Sequence, residues 1–150
     1  MIRNCIAAIW YCFAISIEAA EPSLHTFERL TISTEYYSEG ANFGDLSHDG
    51  VADIASGPYW YKGPDFKAKY EIYPPKEQNR NRYADNFFWF VYDFNSDGWN
   101  DLFRVGFPGT PGYVYVNPKG MKGHWPRHQV FDWVSNESPT LTNLVGDPRP

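Results

Sequence analysis

Apolar residues after position 21 come in short runs that turn residues interrupt, and no run keeps a helical period. Short runs bounded by Gly, Pro, Asn and Asp are typical of strands, whereas a helix repeats its apolar positions about every 3.6 residues. The pattern therefore predicts an all-β chain. The predicted strands are Ile54–Ser56, Pro58–Tyr61, Tyr70–Tyr73, Phe87–Tyr92, Leu102–Phe107, Tyr113–Val116 and Gln129–Trp133.

One segment occurs twice, and a weaker copy follows. Residues 44–54 read GDLSHDGVADI and residues 92–102 read YDFNSDGWNDL, so Asp45 and Asp93 hold equivalent places 48 residues apart. The weaker copy begins at Asn143 and reads NLVGDPRP. About four predicted strands fall in each unit of roughly fifty residues, which is the size of a β-propeller blade. We expect a partial β-propeller of two four-stranded blades and the start of a third.

The repeated segment has the pattern Asp-x-(Asn/Ser)-x-Asp-Gly-x-x-Asp, which is rich in oxygen ligands. Ca²⁺ takes about six to eight hard oxygen ligands. Side chains at positions 1, 3, 5 and 9 and the carbonyl of position 7 can converge, and glycine at position 6 permits the sharp reversal. The sequence predicts calcium at both loops. The ligands are Asp45, Ser47, Asp49, the Val51 carbonyl and Asp53 in the first loop, and Asp93, Asn95, Asp97, the Trp99 carbonyl and Asp101 in the second.

Other interpretations of these acidic loops are less favourable. An EF-hand needs a Glu at position 12, where Ser56 and Arg104 stand, and a helix afterwards, so EF-hand and dockerin modules are excluded. Asp-Gly turns without metal are the remaining alternative, but three clustered carboxylates without a cation would repel one another. Ser47 is a weaker ligand than Asn95, which predicts weaker binding at the first loop. No metal is predicted for the third copy.

The two loops and their flanks resemble the FG-GAP/VCBS repeat family. The first copy opens on Phe43-Gly44 and closes on Gly57-Pro58, and the second runs from Tyr92 to Pro108 without the Phe-Gly opening. The resemblance covers about residues 40–150. It implies a β-propeller with calcium in its blade loops, as in the integrin α-subunit head, and an exported bacterial VCBS-repeat protein. Similar propellers occur in sugar-active lyases such as aldos-2-ulose dehydratase, which is an analogy of fold alone.

The predicted organisation is a signal peptide over residues 1–20 and propeller blades over residues 21–150, with repeats near 43–58, 91–107 and 138–150. Propellers close with about four to eight blades. Two units and part of a third therefore predict a fragment of a larger propeller. Self-assembly of a partial propeller is the less favoured alternative.

The N-terminal stretch has the layout of a secretory signal peptide. Arg3 precedes an apolar run from Cys5 to Ile17, and Ala19 and Ala20 suit cleavage, with the exact bond left open. The run is too short to span a bilayer stably, which disfavours an uncleaved anchor. We expect a secreted or periplasmic protein without a later membrane span.

Charge and cysteine content narrow the class further. Cys5 and Cys12 both lie in the predicted signal, so the mature chain would have no disulfide, and bound metal would stabilise it instead. The net charge of −5 without a basic stripe argues against nucleic-acid binding.

The remaining candidate groups give weaker hypotheses. His124 and His128 could pair on zinc, but the proline between them disfavours the helix that would align them. The aromatic runs Phe87–Phe90 and Tyr59–Tyr61 suit either a buried strand, which is favoured, or a sugar-stacking surface. The basic loop Pro74–Tyr83 suits a solvated connection or, less well, an anionic ligand. No nucleophile elbow, P-loop or dinucleotide fingerprint is present.

The sequence thus predicts a secreted calcium-binding propeller that acts as an interaction or scaffold module, with an unidentified protein or carbohydrate as ligand. No catalytic residue is predicted. The alternative is the N-terminal part of a sugar-active, lyase-like or dehydratase-like propeller enzyme, or a carbohydrate-binding protein. Residues beyond Pro150 would distinguish the two.

Overall fold

The structure is a computed structural model that describes residues 26–135 and 137–146. The predicted signal peptide over residues 1–20 lies outside the described residues. The chain divides into two units, Met1–Leu30 and Thr31–Pro150. The described part of the first unit, residues 26–30, is exposed and has no regular secondary structure. All strands described below belong to the second unit.

The second unit contains two four-stranded antiparallel sheets, each a simple meander. Strands follow one another in chain order in both, β1-β2-β3-β4 in the first sheet and β5-β6-β7-β8 in the second. No helix occurs among the described residues, which confirms the all-β prediction, and two such sheets are consistent with two blades of a partial propeller. The strands are β1 Ala41–Gly44, β2 Asp53–Ser56, β3 Tyr59–Tyr61, β4 Lys69–Glu71, β5 Phe88–Tyr92, β6 Asp101–Val105, β7 Thr110–Tyr115 and β8 Arg127–Val134.

Strand β1 is the element that the apolar pattern did not predict. It has four residues, alternates exposed and half-buried positions, and leaves Phe43 72% exposed. Such a short segment carries too few apolar residues for periodicity to detect. Its pairing with β2, in register from Ala41↔Ser56 to Gly44↔Asp53, defines it as a strand.

The two sheets share one hydrophobic core. Trp89 and Tyr115 meet edge to face there, with ring centroids 5.4 Å apart, and both are almost fully buried. Strand β1 contacts β5, so the first strands of the two sheets are neighbours. A Cβ at Gly44 would lie 2.5 Å from Val91 Cγ1, so this approach requires glycine. The buried core residues are Leu46, Ala55, Ile72, Trp89, Leu102, Tyr115 and Trp125.

A second apolar cluster covers the opposite face of the second sheet. Phe103, Val105 and Val114 are buried there, while Phe131 and Trp133 on β8 stay 55% and 70% exposed. Residues 137–146, which include the start of the predicted third repeat, form no strand. Over the described residues, the structure contains no helix of the length and apolarity that a membrane crossing requires.

Candidate functional site

The two acidic loops join equivalent strands and have the same backbone shape. The first loop connects β1 to β2, and the second connects β5 to β6. Positive φ angles recur at positions 4 and 6, at His48 (58°) and Gly50 (82°) in the first loop and at Ser96 (60°) and Gly98 (88°) in the second. Glycine adopts this region without strain, which explains why position 6 is glycine in both copies. The sequence repeat is therefore a structural repeat.

The aspartate at position 1 organises each loop. Asp45 accepts hydrogen bonds from the backbone N–H groups of Asp49 (3.1 Å) and Gly50 (2.8 Å). Asp93 accepts the equivalent bonds from Asp97 (3.0 Å) and Gly98 (2.8 Å). Short polar side chains commonly satisfy nearby backbone donors in this way. The backbone of each loop thus curls around its first carboxylate.

The two loops differ in the hydrogen bonding of the side chain at position 3. In the second loop, Asn95 Oδ1 accepts a hydrogen bond of 3.0 Å from the Asp97 N–H. In the first loop, the buried Ser47 hydroxyl has no hydrogen-bond partner of normal geometry among the described residues, although it lies close enough to the Asp49 carboxylate to help lower its pKa. Ser47 is too short to repeat the contact that Asn95 makes.

Position 5 of each loop already holds a cation. Asp49 Oδ2 lies 2.9 Å from Lys62 Nζ, and Asp97 Oδ2 lies 3.1 Å from Lys119 Nζ. Lys62 chiefly lowers the pKa of Asp49, with help from the Val51 N–H. Burial works against a low pKa at Asp97, but Lys119 and the Trp99 N–H still hold that pKa below its usual range. Each acidic loop therefore has an ammonium group as counterion.

These lysines were missed in the sequence analysis, although a signal exists. Each lysine precedes a glycine and follows the third strand of its sheet, in Lys62-Gly63 after β3 and in Lys119-Gly120 after β7. In the second loop, Lys119 is far along the chain from Asp97, so the sequence alone does not indicate that the two residues pair.

Position 9 carries a buried carboxylate with a structural role. Asp53 is fully buried and accepts three backbone hydrogen bonds, from Leu46 (2.9 Å), Ser47 (2.8 Å) and Gly63 (2.9 Å). It therefore ties the start of its loop to the chain that follows β3.

Asp101, at position 9 of the second loop, also accepts backbone hydrogen bonds, but from two N–H groups instead of three. It is also fully buried, and accepts hydrogen bonds from the N–H groups of Phe94 (3.2 Å) and Asn117 (2.8 Å). Loss of water around its buried charge raises the pKa of Asp101; the Asn117 and Phe94 N–H groups lower this pKa, and the Asp97 and Asp93 carboxylates raise it further.

Side chains of the second sheet also hold the first loop in place. Asn100 Nδ2 donates to the Asp45 carbonyl and Asn117 Nδ2 donates to the Leu46 carbonyl, each at 2.9 Å. The ring of Trp99, at position 7, stacks on His48 with centroids 4.7 Å apart. The two predicted sites thus lie side by side, which sequence spacing alone could not show.

The side chains of the two loops have the chemistry that calcium binding requires, but their arrangement in the structure is not that of a metal site. All the predicted side-chain ligands offer oxygen, which suits Ca²⁺. Over residues 26–135 and 137–146, however, no three acidic, His or Cys side chains converge as a metal cluster. Backbone N–H groups and a lysine satisfy the carboxylates instead, so mutual repulsion is a weaker argument for metal than the sequence suggested. Carboxylate oxygens at positions 1 and 5 keep further lone pairs for a cation.

The weaker candidates have mostly structural places. His124 Nε2 pairs with Glu71 Oε2 at 2.9 Å, whereas His128 lies on β8 opposite Val114, so the structure does not join the histidines as a zinc pair. Trp89, in the Phe87–Phe90 run, is 1% exposed and donates to the Gly57 carbonyl, so it belongs to the core.

The run Tyr59–Tyr61 and the loop Pro74–Tyr83 also have mainly structural roles. Tyr59 and Tyr61 are buried, while Trp60 between them is half-buried and stacks on Tyr70. In the loop Pro74–Tyr83, Arg80 donates to the Thr34 carbonyl and Gln78 N–H to the Tyr36 carbonyl, as expected for a connection tied to its neighbour.

Comparison of the chain with protein-family models, curated proteins and solved structures finds no match.

Proposed function

We propose that this chain is an exported calcium-binding propeller module that recognises a partner through its loop faces. The observation that carries the proposal is the duplicated loop, with the same backbone and the same hydrogen bonds at positions 1 and 5 in both sheets. In each copy the position-5 carboxylate already attracts a cation, at 2.9 Å in the first loop and 3.1 Å in the second. Each position-5 carboxylate thus carries the negative charge that a metal ion needs, and a metal ion would have to displace the lysine from it.

Calcium would be held in the second loop by Asp93, Asn95, Asp97, Asp101 and the Trp99 carbonyl. When bound, the ion would supply two positive charges that neutralise and cross-link the loop. The loop's own residues supply the curvature, through the Asp93 hydrogen bonds to two backbone N–H groups. Lys119 occupies the same carboxylate, so it competes with the ion.

The first loop would use Asp45, Ser47, Asp49, Asp53 and the Val51 carbonyl. Asp53 already accepts three backbone hydrogen bonds and Ser47 reaches less far than an asparagine. This supports the predicted order, with weaker binding at the first loop.

Thermal unfolding with calcium and with chelator tests the proposal. An ion that binds only the folded protein raises the free energy of unfolding, by about 2.7 kcal/mol at a hundredfold excess over Kd, and so raises the melting temperature. We expect Asp93→Asn together with Asp97→Asn to remove most of this response. Asp132→Asn, an exposed aspartate on β8, is the matched control that keeps it. An unchanged melting temperature and no heat of Ca²⁺ uptake in calorimetry would contradict the proposal.

Export can be tested separately in cells that express the full chain. Fractionation should place the protein outside the cytoplasm, and N-terminal sequencing should find a new terminus after Ala19 or Ala20. Retention of Met1 in an intracellular fraction would contradict export while leaving the calcium proposal intact.

A further inference from the structure

A pocket of about 580 Å³ lies beside the acidic loops, within the second unit. Strands β3 and β4 form one wall through Trp60 and Tyr70, and the chain between β7 and β8 forms another through Trp125. Ser47 and Trp99 bring the two acidic loops to its edge. Its volume falls in the range of about 300–1,000 Å³ that is usual for small-molecule sites.

Four flat aromatic side chains, Trp60, Tyr70, Trp99 and Trp125, contribute to the walls of this pocket. Trp60 and Tyr70 are cross-strand partners and stack with centroids 4.6 Å apart and planes 22° apart. Trp99 stacks on His48 in a similar way, at 4.7 Å and 25°. Stacking fixes each ring, so a ligand meets a rigid aromatic surface that loses little conformational freedom on binding. Trp60 is half-buried and Tyr70 is 48% exposed, so solvent reaches both.

Polar groups of both kinds stand among these rings. Glu71 and His124 form a 2.9 Å pair, and each side chain is about half exposed, at 47% and 45%. Lys62 and Lys122 add donors to the lining. The Ser47 hydroxyl, buried and without a partner of normal geometry among the described residues, can both donate and accept.

This combination selects against several ligand classes. A fatty chain would cover the Glu71–His124 pair, Lys122 and the Ser47 hydroxyl without offering a hydrogen bond, which costs free energy at each polar atom that it takes from water. A phosphate or nucleic acid would find little net positive charge, because Lys62 is already paired with Asp49 and Glu71 balances Lys122. A sugar ring has one apolar C–H face and hydroxyls that donate and accept, so it matches flat rings surrounded by mixed polar groups.

We propose that the pocket lined by Trp60, Tyr70, Trp99, Glu71 and His124 binds a short neutral carbohydrate. The sugar face would lie on the Trp60–Tyr70 pair, and its hydroxyls would contact Glu71 and His124. Binding involves no bond making or breaking. The proposal names a ligand class for the partner recognition proposed above and rests on that part of it, but it needs the fold and not bound calcium.

Saturation-transfer NMR on the full chain, with the methyl glycosides of glucose, galactose, mannose and N-acetylglucosamine, tests this directly. We expect at least one glycoside to receive saturation and to give a measurable Kd by titration. Adenosine is included because its flat base could also stack on the rings. Failure of all four glycosides to bind, or displacement of a bound glycoside by adenosine, would overturn the proposal.

Variants locate the binding to the pocket. Tyr70→Ala removes an exposed ring from the edge strand β4 and should weaken glycoside binding about tenfold, which is the upper range for one aromatic contact. Glu71→Gln keeps the shape and should weaken binding less. Trp133→Ala removes a 70% exposed ring on β8, outside the pocket, and should leave Kd unchanged.

Repeating the titration in chelator separates the two proposals. Glycoside binding that persists in chelator, with no calcium response, supports the pocket and contradicts the metal sites. Equal Kd values for the parent and Tyr70→Ala, in a variant whose melting curve stays cooperative, would contradict the pocket alone.

Discussion

The two acidic loops share a backbone but differ in how completely the protein satisfies them. In the first, Asp53 accepts three backbone hydrogen bonds, and Lys62 follows directly on strand β3. In the second, Asp101 accepts two and burial raises its pKa. The position-9 carboxylate is therefore more fully satisfied in the first loop, which Asn100 and Asn117 also hold in place, whereas Asp101 has fewer donors for a charge that a cation would stabilise. Identical curvature does not imply equal demand for metal.

The largest expected effect comes from removing the buried carboxylate of the first loop. Asp53→Ala leaves three backbone N–H groups without their acceptor, and each unsatisfied buried donor costs roughly 1–3 kcal/mol. We expect a loss of about 3 kcal/mol or more in the free energy of unfolding, measured in urea. Asp101→Ala, with two donors affected, should cost less, and Asp132→Ala almost nothing. A larger loss for Asp101→Ala than for Asp53→Ala would reverse the comparison.

The next effect is on calcium affinity. Asp97→Ala removes a charged ligand from the loop that retains unsatisfied charge, and we expect a loss of about tenfold or more in Kd. Ser47→Ala removes a neutral ligand from the first loop, whose position-9 carboxylate is the more fully satisfied, and should change the overall binding isotherm little. Calorimetric titration of the two variants measures this. Equal losses would show that the loops bind calcium equally.

Removing a competing lysine should have a smaller and opposite effect. Lys119→Gln frees the Asp97 carboxylate, so we expect tighter calcium binding by severalfold and a slightly lower melting temperature in chelator. Lys122→Gln, three residues further on, is the matched control for loss of charge. If Lys119→Gln weakened calcium binding, the lysine would be supporting the site rather than competing for it.

The smallest expected effect is on the pH dependence of stability. The pKa of Asp49 is lowered chiefly by Lys62, so its stabilising contribution is present above the ordinary carboxyl value of 3.8 and is lost as the pH falls through the lower folded value. In chelator, the parent should melt slightly above Lys62→Gln at about pH 6, and this difference should shrink as the pH falls below 3.8. A difference that grows as the pH falls would contradict this sign.

Much of the fold was accessible from the sequence because strands and turns are local. The runs around Tyr59, Phe90 and Leu102 became β3, β5 and β6, and the duplicated loops have the shape that their glycines require. The apolar pattern did not predict strand β1 because its four residues are too few for a periodic signal.

The contacts that define the candidate site were less accessible because they join distant residues. Lys119 pairs with Asp97 although strands β6 and β7 lie between them in the chain, and His124 meets Glu71 across 53 residues. Asn117 reaches Leu46 in the first acidic loop, 71 residues away. The sequence identified oxygen-rich turns, but only the folded chain shows that amide side chains connect them and that a pocket opens beside them.

Because Trp89, Ala55 and their neighbours form a single interior between the sheets, neither sheet encloses a core of its own there. A lone sheet of a few strands is marginal in water, so most of the cohesion of this architecture resides at the junction. In a repeating array of this kind, an added unit contributes chiefly by creating another seam. We expect a pair of neighbouring sheets, rather than a single sheet, to be the smallest part of this architecture that is stable in water.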